Sequence, residues 1–219
     1  MELYKCLINP IHKYKIDNNM LKTKIIKLFV SCFILLGATI GFSQDFKERG
    51  TIEELVDQNV PGYKILDYES GHLNSDTLPD LIAFYDYDRY NPSFNRDSLE
   101  NPFDRPLLLY LGQPDGTCLL AKRNDKVVLC YDCGGQWGDP FDGITINNGY
   151  FTLSHHGGSR EKWSLFITFK YSPEEKNWFL HSSGDEPFSV HEPNKVYSDM
   201  DTVKDFGITP FEEYNSNLF

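Results

Sequence analysis

Basic residues are scarce in this chain of 219 residues: 21 Lys+Arg stand against 32 Asp+Glu, a formal charge of −11. A nucleic-acid partner needs cations to neutralise phosphates, so that class is excluded. Long helical periodicity is also missing. No stretch alternates strands with amphipathic helices, which argues against a parallel α/β fold. Composition and pattern exclude collagen, coiled coil and a multi-span membrane protein. The motif Gly-x-Ser-x-Gly does not occur, and the nucleophile elbow of the α/β-hydrolases goes with it. What is there is a globular composition, 40% hydrophobic and 24% charged. Aromatics reach 15%, with 13 Tyr and 16 Phe, and they favour β-structure.

One apolar run stands out, Leu28–Ile40. It is too short and too weakly flanked for a membrane span. Lys22, Lys24 and Lys27 precede it, and Gly41 and Ser43 stand at −3 and −1 of a cut before Gln44. This is the order of a secretory signal peptide, residues 1–43, and it predicts export through the Sec pathway to the periplasm or beyond. Met20 opens a signal of more usual length, so Met1–Asn19 reads as an upstream start that is rarely or never used. Cys32 lies inside the run, not at its end as a lipid-attachment cysteine would. Without these 43 residues, which hold six Lys, Glu2 and Asp17, the chain keeps 15 Lys+Arg against 30 Asp+Glu. Such a domain repels anionic membranes and polyanions. Cys118, Cys130 and Cys133 remain, an odd number in an oxidising compartment.

In the mature chain, Thr51-Ile-Glu-Glu54 is a capping box, and a helix of about two turns is predicted from it, ending before Pro61. Residues 44–60 are this helix and a linker; residues 61–219 read as one β domain. Strands are predicted at Tyr63–Tyr68, Leu81–Tyr85, Leu107–Leu111, Cys118–Lys122, Lys126–Cys130, Ile144–Asn147, Tyr150–Ser154, Trp163–Tyr171 and Asn177–His181. Asn148-Gly149 is a strong hairpin signal. Residues 86–105 form a long polar loop, and Val203–Tyr214 is a tail able to add an edge strand or wrap the sheet. The expected fold is all-β: a single antiparallel sandwich or barrel-like roll with one short N-terminal helix.

Three constellations carry chemistry. In Gly71–Asp80, oxygen-bearing side chains at alternate positions converge as a hard cation requires. The loop resembles the calcium loop of FG-GAP/VCBS repeats, the integrin-type propeller blade, and residues 62–116 are similar to one such blade. The resemblance implies Asn74, Asp76 and Asp80, with the Leu78 carbonyl, as calcium ligands. His72 replaces the family's first Asp and Thr77 its Gly. With three side-chain oxygens left, any calcium affinity is expected on the order of millimolar, and no other cofactor is predicted. The competing reading is a turn whose Asn and Asp bond their own backbone. No second copy of the loop occurs, so a whole propeller is not expected.

Cys130–Gly143 packs four Gly, two Cys, three Asp, a Trp and a Phe into fourteen residues. Three chemistries compete for the Cys pair: a disulfide, which the compartment favours; a redox Cys-x-x-Cys, for which no helix follows; and zinc with His155 and His156. Trp137 and Phe141 are expected to close over the loop as a small plug. The stretch resembles a motif of small uncharacterised bacterial exported proteins, in which a Gly-Asp-Leu-Asn-like loop is followed by Cys-x-x-Cys-Gly-Gly and Gly-Asp-Pro-Phe. That resemblance implies no activity. The third constellation, His155-His156-Gly-Gly-Ser-Arg160, reads as a glycine-bent connection with one His facing in and one out. The expected function is an exported, non-catalytic binding module for a protein or small-molecule ligand, with Trp137, Asp139, Phe141, Asp142, His155, His156 and Arg160 near the contact. The alternative is an exported hydrolase using His155 or His156 with Asp139 or Asp142.

Overall fold

The computed structural model describes residues 46–89, 104–186, 188–189 and 199–216. The expected signal segment and residues 90–103 of the long polar loop lie outside them. In chain order come β1 (Arg49–Gly50), α1 (Ile52–Val56), β2 (Tyr63–Gly71), β3 (Asp80–Tyr87), β4 (Leu107–Gly112) and β5 (Cys118–Asn124). Then follow β6 (Phe141–Asn147), β7 (Tyr150–Gly158), β8 (Glu161–Ser172), β9 (Asn177–Asp185), β10 (Phe188–Ser189), β11 (Asp199–Thr202) and α2 (Val203–Phe206). Two antiparallel sheets result, ordered β1-β5-β4-β3-β2 and β11-β9-β8-β7-β6, with β10 on the start of β8. The all-β sandwich expected from the sequence is the fold observed.

Alternation builds the space between the sheets. Ile82 and Phe84 of β3 and Leu107 and Leu109 of β4 face Phe151, Leu153, Ile167, Phe169, Trp178 and Leu180 of the second sheet. Phe151 and Phe169 stack with centroids 5.1 Å apart, and Phe211 meets Phe169 edge-on at 5.4 Å. Trp178 is fully buried and still satisfied, because its indole N–H donates to the Leu73 carbonyl at 2.9 Å.

β3 and β4 are buried on their other face too. Leu81, Ala83, Tyr85, Leu108 and Tyr110 enter a second core with Phe46, Leu55 and Val60. Both strands therefore read as near-continuous apolar runs, as strands covered on two sides do. The layer over them starts at the capping box: Thr51 Oγ1 accepts from the Glu54 N–H at 3.2 Å, and Glu54 accepts from the Thr51 N–H at 3.0 Å. The helix is five residues long, shorter than predicted.

The predicted hairpin is present, with Asn148 and Gly149 at φ of 48° and 80°. Lys126–Cys130 departs from the prediction, being irregular and not a strand. Asn124 bends the chain out of β5 by accepting from the Lys126 N–H at 2.7 Å and donating to the Phe211 and Tyr214 carbonyls. Val127 and Val128 then drop into the core between the sheets. The tail wraps: Leu180 N–H donates to Thr209 at 2.8 Å, and Phe211 and Tyr214 are buried. The edge strand β11 comes just before it.

Candidate functional site

The Gly-rich loop leaves the core at Leu129 and returns at Phe141, and each end is fastened. Cys130 and Cys133 form a disulfide with Cα atoms 5.2 Å apart. Gly134 N–H donates to Gly138 at 2.8 Å, and Gly158 N–H donates to Gly134 at 3.0 Å, so the loop lies against the end of β7. Backbones touch there. A Cβ on Gly157 would come within 2.9 Å of the Gly134 Cα and 2.6 Å of the Trp163 ring, and Gly158 holds a φ of 102°. Close approach of two chain segments thus accounts for Gly134 and Gly157, while Gly135 and Gly138 hold φ of 68° and 74°.

Beneath the loop lies a buried ionic chain. Arg105, with only 3% of its side chain exposed, donates from Nη1 and Nη2 to the two carboxylate oxygens of Asp139 at 2.9 and 2.6 Å. Its Nη1 also reaches the Leu129 carbonyl at 2.6 Å, and its Nε lies 3.4 Å from Asp86. Asp86 in turn accepts from Arg89 at 3.0 Å, and the Arg89 guanidinium sits 3.5 Å from the centroid of the Tyr131 ring. Two cations alternate with two carboxylates, so each buried charge has a partner of opposite sign. Phe84 closes the site from the core side, 4.9 Å from Arg105.

The two histidines part as β7 alternates. His155 is buried, its Nε2 accepting from the Leu129 N–H at 3.4 Å. Burial pushes its pKa down to about 4, and Arg105 adds to that; the Leu165 backbone and Asp142 pull the other way. It is a neutral strut under the loop. His156 faces outward, with Nδ1 3.4 Å from Asp142 and its ring edge-on to Trp137 at 5.4 Å. Lys162 Nζ lies 5.2 Å from the Trp137 centroid. Arg160 is exposed in the turn between β7 and β8. The residues singled out in the sequence therefore form two groups, Asp139 and His155 inside, Asp142, His156 and Trp137 outside. The expected plug of Trp137 and Phe141 does not form. Trp137 is 55% exposed, whereas Phe141 packs on Phe84 at 4.4 Å.

The loop at 72–80 is held by its own polar groups. Asn74 accepts from the Asp76 N–H and Asp76 from the Leu78 N–H, each at 2.8 Å. Asp80 is buried, its two oxygens taking the N–H groups of Leu73 at 2.7 Å and Gly112 at 2.8 Å. Burial raises its pKa against the pull of those bonds. The geometry is that of Asx turns around a carboxylate pin. Among the described residues no group of three or more His, Cys, Asp or Glu gathers where it could hold a metal ion.

Sequence reasoning missed Arg105, Arg89 and Tyr131. The one local signal is an Arg directly before the buried run that starts at Pro106. No helix among the described residues is long and apolar enough to cross a membrane. Comparison with protein-family models, characterised proteins and solved structures finds no match to the chain.

Proposed function

We propose that the chain is an exported, non-catalytic interaction module whose contact surface is the aromatic face of the Cys130–Gly143 loop. One observation carries the reading: a 55% exposed Trp137 rides on a loop fastened at both ends. A rigid aromatic loses little freedom on contact, and Trp, Tyr and Arg are the residue types that dominate binding hot spots. Tyr131, stacked with Arg89, and Trp137, with Lys162 beside it, supply that chemistry at two points of the loop. The partner is a protein surface, docked on Trp137 and Tyr131.

Export rests on the signal pattern of residues 22–43, and the Cys130–Cys133 bond supports it as the state expected outside a reducing cytosol. The kinship of residues 62–116 with an FG-GAP/VCBS blade is likewise a proposal. β2 to β4 within those residues, continued by β5 just after them, run as an antiparallel meander like the strands of a propeller blade, with β1 added beyond β5. A hydrolase would have to work through His156 and Asp142 alone, because His155 is buried and Asp139 is engaged by Arg105.

The test is affinity capture from the exported fraction of the source cells with three baits: wild type, Trp137→Ala and Ile208→Ala. Ile208 is 80% exposed and lies on the tail, away from the loop in sequence. Partners held by wild type and by Ile208→Ala and lost from Trp137→Ala are the expected result. The same set on all three baits would remove the loop from the interface.

A further inference from the structure

A second feature lies at the loop of residues 72–77, where that loop meets the β6–β7 hairpin turn and the end of β8. A cleft of about 710 Å³ opens there. Its volume falls in the range that takes small molecules, whereas a protein partner needs a broader, flatter face. The walls are fixed to each other by backbone bonds. Gly149 N–H donates to His72 at 2.9 Å, and Tyr171 N–H donates to Gly149 at 2.8 Å. The Asx turns at Asn74 and Asp76 stiffen the third wall. The cleft is therefore formed before any ligand arrives, and binding need not order it.

The lining is amphipathic in a particular way. Tyr150 and Tyr171, both partly exposed, offer ring surface, and Ser75, Thr77 and Asn148 offer uncharged donors and acceptors. Tyr150 is set in place: Lys170 Nζ lies 5.2 Å from its centroid, and His181 meets it edge-to-face at 5.2 Å. Charges of both signs surround the space. An anion would meet Asp76 in a domain with twice as many acids as bases, and a cation would meet Lys170. Asp76 and Asp80 help raise the Tyr171 phenol, after burial, which places negative potential on that wall. A neutral ligand with an apolar face and a hydroxyl-bearing edge satisfies every group at once.

We infer that this cleft is a binding site for a neutral saccharide of one or two rings. The C–H face of the sugar lies on Tyr150 or Tyr171, and its hydroxyls bond Asn148, Ser75, Thr77 and Lys170.

The probes are cellobiose, maltose and di-N-acetylchitobiose, each titrated to the order of tens of millimolar, the affinity range of weak small-ligand sites. Amide shifts are read by two-dimensional NMR on the intact protein. At least one sugar shifts the amides of Ser75–Thr77 and Asn148–Tyr150, and Tyr150→Ala weakens that binding at least about tenfold, the loss of one good contact. Asn148→Gly keeps the positive φ of the turn, so it guards against misfolding, and it weakens binding severalfold. Trp137→Ala leaves the affinity unchanged. No shift at those amides with any of the three sugars, or a shift indifferent to both cleft variants, overturns the inference.

Discussion

Arg105 shows how much one side chain can hold. It reaches Asp86 on β3, Asp139 in the Gly-rich loop and the Leu129 carbonyl, all from a position 3% exposed. Replacing it with Leu strands the Asp139 carboxylate and the Leu129 carbonyl and leaves Asp86 with Arg89 as its cation. The expected loss is about 3–5 kcal/mol, the cost of breaking a buried pair from one side, read by urea unfolding. A loss below about 1 kcal/mol would mean that water already serves those groups. His155 adds a pH dependence. Its folded pKa of about 4 is below the unfolded value of 6.5, so its contribution is whole above pH 6.5 and is lost as pH falls toward 4. The loss amounts to roughly 3 kcal/mol, because each tenfold drop in proton affinity is worth about 1.4 kcal/mol. Asp80, raised by burial, acts in the opposite sense, favouring the fold as pH falls. The difference between wild type and His155→Gln isolates the histidine, and urea unfolding at pH 7.5 and 4.5 measures it. Equal acid sensitivity in both proteins would show that His155 is not the group. None of this was visible in the sequence beyond the alternation of His155 and His156. Arg105 and Asp139 stand 34 residues apart, and no local pattern joins them.

At the scale of elements, short-range signals were legible and long-range ones were not. The Thr51–Glu54 box and the Asn148-Gly149 turn each act within four residues, and both formed as read. Lys126–Cys130 had the apolar character of a strand, yet Asn124 binds the carbonyls of Phe211 and Tyr214 from nearly ninety residues away and turns the chain aside. The cysteine pair was legible because its two residues are neighbours. Its ring is small and removes little entropy from the unfolded chain, so Cys130→Ser with Cys133→Ser costs about 1–2 kcal/mol, less than a long-range bridge. The larger effect is local: the fluorescence anisotropy of Trp137 drops as the loop gains freedom. Alkylation of the native protein without reductant leaves both cysteines unmodified. Ready modification of both would show that the bond is absent in the isolated protein.

Across the whole molecule, the sequence separates a basic N-terminal segment from a domain with 30 acids and 15 bases. If residues 1–43 direct export, intact-mass measurement of the exported form finds a chain that begins at Gln44. A mature mass that still contains Ile25–Ile40 would contradict this. The layered plan is legible only in part: alternation announces the second sheet, and the apolar runs of β3 and β4 carry the mark of two covered faces without showing which segment covers the second.

That double covering sets an order of events during opening. One wall of each core is the same pair of strands, and the two cores differ in what lies opposite: a whole sheet on one side, a short N-terminal segment with a five-residue helix on the other. Detachment of Phe46–Val60 exposes one side of β3 and β4 while the other stays packed. Cys118, 2% exposed and the free thiol among the described cysteines, lies in the thinner core. Its sulfur therefore becomes reachable to a thiol reagent before the amides of Ile82 and Phe84 exchange with deuterated solvent. The thiol acts as a clock for the partial opening and the amides as a clock for the complete one, and the gap between the two rates measures how tightly the N-terminal layer is held.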